Sequence, residues 1–145
     1  MRVLIACEFS GIVRDAFIAK GHDAFSCDLL PTERNGPHIQ GDVLGHLKRG
    51  WDLMVAHPPC TYLCLSGARW WSEKRDEQQA AAKFFTELYL APIERVAIEN
   101  PIGFVNTCFR RPDQIIQPWQ FGDMEKKVNL PMAEESPDVG AKVFY

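Results

Sequence analysis

Residues 2–21 read RVLIACEFSGIVRDAFIAKG, and this stretch decides the fold. Val3 to Cys7 is a short unbroken apolar run, the pattern of a strand buried on both faces. Glu8-Phe9-Ser10-Gly11 then forms a loop before a segment with helical spacing. In that segment Ile12, Val13, Ala16 and Phe17 share one face, Ser10 is placed to cap the start, and Gly21 ends the helix after Lys20. Strand, loop and helix in this order form the opening unit of an α/β domain with a mostly parallel sheet and flanking helices.

The alternation continues outward. His22 to Cys27 reads as a second strand ending at Asp28, and the punctuation of Pro31 to Gly36 marks a loop. His38 to Gln40 is a short third strand, followed by Asp42 and a brief helix to about Lys48. Asp52 to Ala56 is a fourth strand, stopped by Pro58-Pro59. Glu73 to Leu90, rich in Ala, Gln, Glu and Lys, is the strongest helix, and Arg95 to Ile98 is a fifth strand. Ile115 to Phe121 is expected to add an edge strand. The polar, proline-bearing stretch Pro131 to Gly140 is expected to be loose. The division is therefore one domain over residues 1–130 and a loosely structured tail over 131–145.

Composition narrows the function classes. A chain of 145 residues that is 46% hydrophobic can bury a core without staples. Its net charge of -3 lacks the basic footprint of a protein that grips a phosphate backbone unaided. The basic pairs Lys48-Arg49, Lys74-Arg75, Arg110-Arg111 and Lys126-Lys127 are the local exceptions. Five scattered cysteines do not form a secreted disulfide framework, and the N-terminus reads as a strand rather than a signal peptide. No stretch has the length to span a bilayer, so a soluble, cytoplasmic protein is expected.

In parallel sheets ligands bind beyond the carboxyl ends of the strands. The unusual polar residues fall at those ends: the Glu8–Gly11 loop, Asp28, Asp42, Pro58-Pro59-Cys60 and Glu99-Asn100-Pro101. Gly11 allows close backbone approach at a helix N-terminus that offers free N–H groups. Asp28 follows at the distance where an acid reaches a ribose diol, and Asp42 is placed to accept from an adenine amino group. Each also has a plain use as a turn residue. Val13 and Arg14 stand where a dinucleotide fingerprint needs its second and third glycines, which argues against a pyrophosphate ligand. Two prolines hold the Cys60 thiol just past a strand end, a setting suited to a nucleophile, with Glu99 on the adjacent strand. His57, Cys60, Cys64 and Cys108 lack the paired spacing of a zinc site, so no metal is expected. Trp70 and Trp71 suit base stacking or an apolar interface, and His22, His38 and His46 have no partner pattern.

On these residues the chain resembles the DNA (cytosine-5)-methyltransferases, particularly the short methyltransferase-like proteins of phages and prophages. The likeness covers about Arg2 to Gly103. Phe9-Ser10-Gly11 looks like the family's cofactor loop, Asp28 its ribose acid and Asp42 the acid near the adenine. Pro58-Pro59-Cys60 is similar to the proline-cysteine nucleophile motif. Glu99-Asn100-Pro101 is similar to the glutamate-asparagine motif, with proline where valine is usual.

The resemblance implies a Rossmann-like S-adenosylmethionine-dependent methyltransferase fold, abbreviated at its C-terminal end. It implies S-adenosylmethionine bound by Phe9, Ser10, Gly11, Asp28, Asp42 and Pro58. It also implies methyl transfer to carbon 5 of cytosine through a Cys60 adduct, with Glu99, Asn100 and Pro59 completing the machinery. The substrate is then DNA or a pyrimidine nucleotide, in a bacterial or phage-infected cytoplasm. A second copy or another partner would supply target recognition, for which the chain has no domain. His57 stands where the family has glycine or phenylalanine, and the glutamine-arginine motif and terminal helix have no clear counterpart. An amino-methyltransferase would want Asp, Asn or Ser where His57 stands and an aromatic at Cys60. The competing readings are a truncated, non-catalytic cofactor-binding or interaction module, and a nucleotide-binding protein of other chemistry.

Overall fold

The computed structural model describes residues 1–64, 72–101, 103–116 and 120, together with the backbone of Val143–Phe144. Its elements are β1 (Arg2–Ala6), α1 (Ile12–Ala19), β2 (Asp23–Asp28), β3 (His38–Gln40), a 3-10 turn (Val43–His46), β4 (Leu53–Ala56), α2 (Arg75–Tyr89), β5 (Arg95–Ile98), α3 (Phe104–Cys108) and β6 (Val143–Phe144). They build an α/β domain whose sheet has the order β3-β2-β1-β4-β5-β6. Every pairing in it is parallel. This is compatible with a Rossmann-like arrangement. The chain steps outward from β1 to β3, then returns to place β4 on the other side of β1. That reversal opens the sheet's crevice between the β1 and β4 loops.

The apolar run of β1 is explained by its central place. Val3, Leu4, Ile5 and Ala6 all have no exposed surface. Alternate residues feed two cores. Leu4 and Ala6 join Met54, Ala56, Val96 and Ile98 under Phe85 and Leu88 of α2 and Val105 of α3. Val3 and Ile5 meet Ala24 on the opposite face, where Val13 and Phe17 of α1 cover them. Each Val, Leu, Ile, Met or Phe side chain among them contributes about 1.5–3 kcal/mol on full burial. The result is three layers: α1, the sheet, and α2 with α3.

Two expectations about α1 are corrected. Its cap is Gly11, at φ 75°, while the Ser10 hydroxyl accepts from the Ile12 N–H at 3.3 Å and donates to the Glu8 carboxylate at 3.0 Å. The stronger capping group is the buried Glu8 carboxylate, which accepts from the Val13 N–H at 2.7 Å and the Arg14 N–H at 3.4 Å. The N-terminus of α1 therefore offers no free pair of N–H groups there. The buried face also differs: Ile12 is exposed, whereas the Arg14 side chain is wholly buried. Arg14 donates to Asp15, to Ser26 and Thr32 hydroxyls, and to the Arg34 and Asn35 carbonyls. These partners offset the cost of taking a guanidinium out of water and pin the loop after β2. Gly21 does end α1, with its N–H donating to Ile18 at 2.8 Å.

Ile115 and Ile116 form no strand. The place beside β5 belongs to β6, in register from Ala97↔Val143 to Ile98↔Phe144. The rest of the expected tail, Trp70, Trp71, Phe121–Asp123 and Lys126-Lys127 lie outside the described residues. No helix among the described residues is long and apolar enough to cross a membrane.

Candidate active site

The strand ends bring the candidate residues to one edge. Ala6 pairs with Cys27 and with Ala56, and Ala56 pairs with Ile98. The ladder then runs one residue further: the His57 N–H donates to Ala6 at 3.0 Å and the Glu99 N–H to Ala56 at 2.9 Å. Continuing the register by that residue aligns Asp28, Cys7, His57 and Glu99 across β2, β1, β4 and β5. Cys7 adopts a positive φ of 59° and turns the chain out of the sheet into the Glu8–Gly11 loop.

The left half of the edge carries acids. Asp28 and Asp42 follow β2 and β3; Asp28 Oδ1 accepts from the Leu30 N–H and Asp42 Oδ1 from the Leu44 N–H, both at 3.0 Å. Each thereby shapes its own turn and keeps lone pairs for a ligand. Their charge is felt by the thiols behind them. Burial first, then Asp28, Cys27 and Asp42, push the Cys7 thiol up to about 12. Burial, Asp28 and Asp42 push Cys27 up to about 11, with Arg49 acting the other way. Cys7 and Cys27 are therefore protonated, inert thiols rather than nucleophiles. Phe9 is partly exposed above this half, and its carbonyl accepts from the Glu33 N–H at 2.9 Å, tying the loop after β1 to the loop after β2.

The right half carries the Cys60 loop. Pro58 is buried, Pro59 exposed and Cys60 half-buried. The Cys60 carbonyl accepts from the Leu63 N–H at 2.9 Å and the Cys64 N–H at 3.1 Å, closing a single turn. That turn is knitted to the chain after β5: the Phe104 N–H donates to Leu63 at 2.7 Å, and Cys64 bridges Gly103. A Cβ on Gly103 would fall inside the Leu63 carbonyl oxygen, so only glycine permits this approach. Gln78 of α2, itself buried, donates to the Tyr62 carbonyl at 3.3 Å and anchors the same loop. Glu99 is exposed at the strand end, and Asn100 beside it is buried with Nδ2 donating to Pro101 at 2.8 Å. Asn100 Oδ1 and His57 Nε2 are buried without a hydrogen-bond partner among the described residues.

No family model, curated protein or solved structure matches this chain. The chemistry therefore rests on the site itself. It combines a half-buried thiol on a proline-stiffened loop, a carboxylate on the neighbouring strand end, and two acids at the ends of β2 and β3. Among the described residues no three His, Cys, Asp or Glu side chains converge as metal ligands, so His57, Cys60, Cys64 and Cys108 do not form one site.

Glu8, Gly103 and Gln78 shape the site and were not among the expected site residues. Glu8 had a readable signal, a charge placed directly after a buried strand and five residues before the helical N–H that it caps. Gly103 and Gln78 had none, because their partners Leu63 and Tyr62 come from another loop.

Proposed function

We propose that this protein is an S-adenosylmethionine-dependent methyltransferase acting on carbon 5 of cytosine in DNA. The observation that carries the reading is the joining of the Cys60 loop to the chain after Glu99. The Leu63–Phe104 hydrogen bond and the Cys64–Gly103 bridge hold the two loops in one arrangement. A nucleophile and an acid that must meet the same ring need such a fixed relation. The order of the strand-end motifs along the edge supports the methyltransferase reading; the sheet order is that of Rossmann-like folds in general.

The donor set fits the cofactor. The Glu8 carboxylate fills the N-terminus of α1, where a phosphate would otherwise sit, and Asp28 and Asp42 add acceptors along the same edge. A phosphate-free, cationic adenosyl compound suits this acidic edge, and a dinucleotide does not. Asp28 would hold the ribose hydroxyls, Asp42 the adenine amino group, and Phe9, Ser10, Gly11 and Pro58 the walls. When bound, S-adenosylmethionine supplies an electrophilic methyl group to carbon 5.

The residues of the chain do the rest. Cys60, as thiolate, forms a bond to carbon 6 of a cytosine turned out of the stack. Glu99 gives its proton to the ring nitrogen, so the electron pair displaced by the sulfur accumulates at carbon 5 rather than as a bare anion. Once carbon 5 is substituted, its proton passes to water and the carbon–sulfur bond breaks. The electron pair restores the ring double bond, Cys60 leaves as thiolate and Glu99 recovers its proton. Asn100 and Pro59 hold the loop that carries the thiol.

Calorimetric titration with S-adenosylmethionine and S-adenosylhomocysteine tests the cofactor site, with Asp28→Ala expected to abolish binding. Methyl transfer to cytosine-containing DNA, lost in Cys60→Ala and Glu99→Gln, tests the chemistry. Cofactor binding without transfer to any substrate would replace the enzyme by a non-catalytic binding module.

A further inference from the structure

His57 stands between Cys7 and Glu99 in the row that crosses the strand ends. In a parallel ladder, side chains at matched positions leave the same face about 5 Å apart. His57 and Glu99 are such a pair, one residue beyond Ala56↔Ile98. Pro58 and Pro59 follow directly and restrict the backbone on which the imidazole is carried. Nε2 is buried with no hydrogen-bond partner among the described residues. Native structures seldom leave such a group unmet without a ligand, ion or water to meet it. Asn100 Oδ1 is also unmet, but its amide is tied to Pro101 and belongs to the loop.

We infer that His57 is a specificity-determining residue that reads the exocyclic group of the target base, accepting at Nε2 from the 4-amino group of cytosine. This rests on the function proposed above. The amino group has two N–H bonds. Glu99 engages the one beside the ring nitrogen, which leaves the other for a second acceptor. Two acceptors, each about 2.9 Å from one planar amino nitrogen, stand about 5 Å apart. That is the spacing of neighbouring strands, from which His57 and Glu99 project. Uracil presents a carbonyl oxygen at the same place, so lone pair would meet lone pair and the imidazole would be left unbonded. His57 thereby separates cytosine from uracil without entering the bond-making steps.

Two measurements test this. In the first, wild type, His57→Gly, His57→Gln and Cys60→Ala are incubated with S-adenosylmethionine and single-stranded oligonucleotides carrying 5-fluorocytosine or 5-fluorouracil. Fluorine cannot leave carbon 5 as a proton does, so the Cys60 adduct accumulates and is counted on a denaturing gel. Wild type is expected to prefer fluorocytosine, and His57→Gly to lose about tenfold of that preference with unchanged cofactor affinity. His57→Gln, which retains an acceptor, recovers part of the loss. An unchanged preference in His57→Gly overturns the assignment. In the second, the imidazole nitrogens of wild type are followed by NMR while deoxycytidine or deoxyuridine monophosphate is added without cofactor. A His57 Nε2 signal moved by the cytosine nucleotide alone supports the base-reading role, even if no adduct forms and the methyl-transfer reading falls. A signal indifferent to both nucleotides overturns it.

Discussion

Replacing Arg14 by Met should open the loop after β2 and with it the acid side of the site. The guanidinium reaches five acceptors: Asp15 at 2.9 Å, Ser26 and Thr32 at 3.2 Å, Arg34 at 3.2 Å and Asn35 at 3.4 Å. Removing one member of a buried, hydrogen-bonded charge set costs about 3–5 kcal/mol when the partners are stranded. Here most are not. Ser26 retains His38 at 2.8 Å, Thr32 retains the Arg34 carbonyl at 3.0 Å, and Asp15 is partly exposed beside Arg34 at 3.8 Å. Asn35 alone loses its bond outright, so we expect about 2–4 kcal/mol for Arg14→Met. For a chain of this size that lowers Tm by about 4–16 °C. Arg14→Lys should be no better, because an ammonium brings the charge without the planar fork that spans these acceptors. Urea denaturation gives the magnitude. Hydrogen exchange gives the place, with the Glu33 amide, which donates to Phe9, expected to exchange faster. A loss below about 1 kcal/mol, or a larger loss with the Glu33 amide still protected, would refute the reasoning.

Gly103→Ala forces a Cβ into the Leu63 carbonyl and must part the two loops that frame the site. We expect a cost of about 1–3 kcal/mol in urea denaturation, with methyl transfer falling further than cofactor affinity; equal losses in both would argue against a local effect. Stability should also decline in alkali. The raised folded values of Cys7 and Cys27, about 12 and 11, mean that the folded state holds these protons longer than an unfolded chain with thiols near 8.5. Their contribution is complete below about pH 8.5 and is lost as pH rises toward those folded values, at up to about 1.4 kcal/mol per pH unit for each thiol. Urea midpoints between about pH 8.5 and 10.5 should therefore fall more steeply for wild type than for Cys7→Ala/Cys27→Ala, and parallel slopes would sink the claim.

Where an element is written in its own residues, the sequence is enough. β3 over His38–Gln40 and β5 over Arg95–Ile98 lie where their short β-prone runs put them, and β1, β2, β4 and α2 differ only at their ends. The alternation of strands and helices implies the parallel sheet, because a helix between strands returns the chain to run in the same direction. The motifs at the strand ends followed from that, since every parallel strand ends on the same edge. α3 was not legible because five residues give helical periodicity too little length to register.

What the sequence by itself determined, then, is the class of fold and the edge on which the polar residues gather. Tertiary structure alone decided that Arg14 is buried while Ile12 is exposed, and that β6 lies beside β5 whereas Ile115 and Ile116 form no strand. It also decided that Gly103 must be glycine. The physical reason is the same in each case. Periodicity and turn chemistry act between near neighbours along the chain. The Arg14 acceptors reach as far as 21 residues away, Cys64 meets Gly103 across another strand, and Val143 comes back to pair with Ala97. Such contacts exist only once the sheet has brought its loops together.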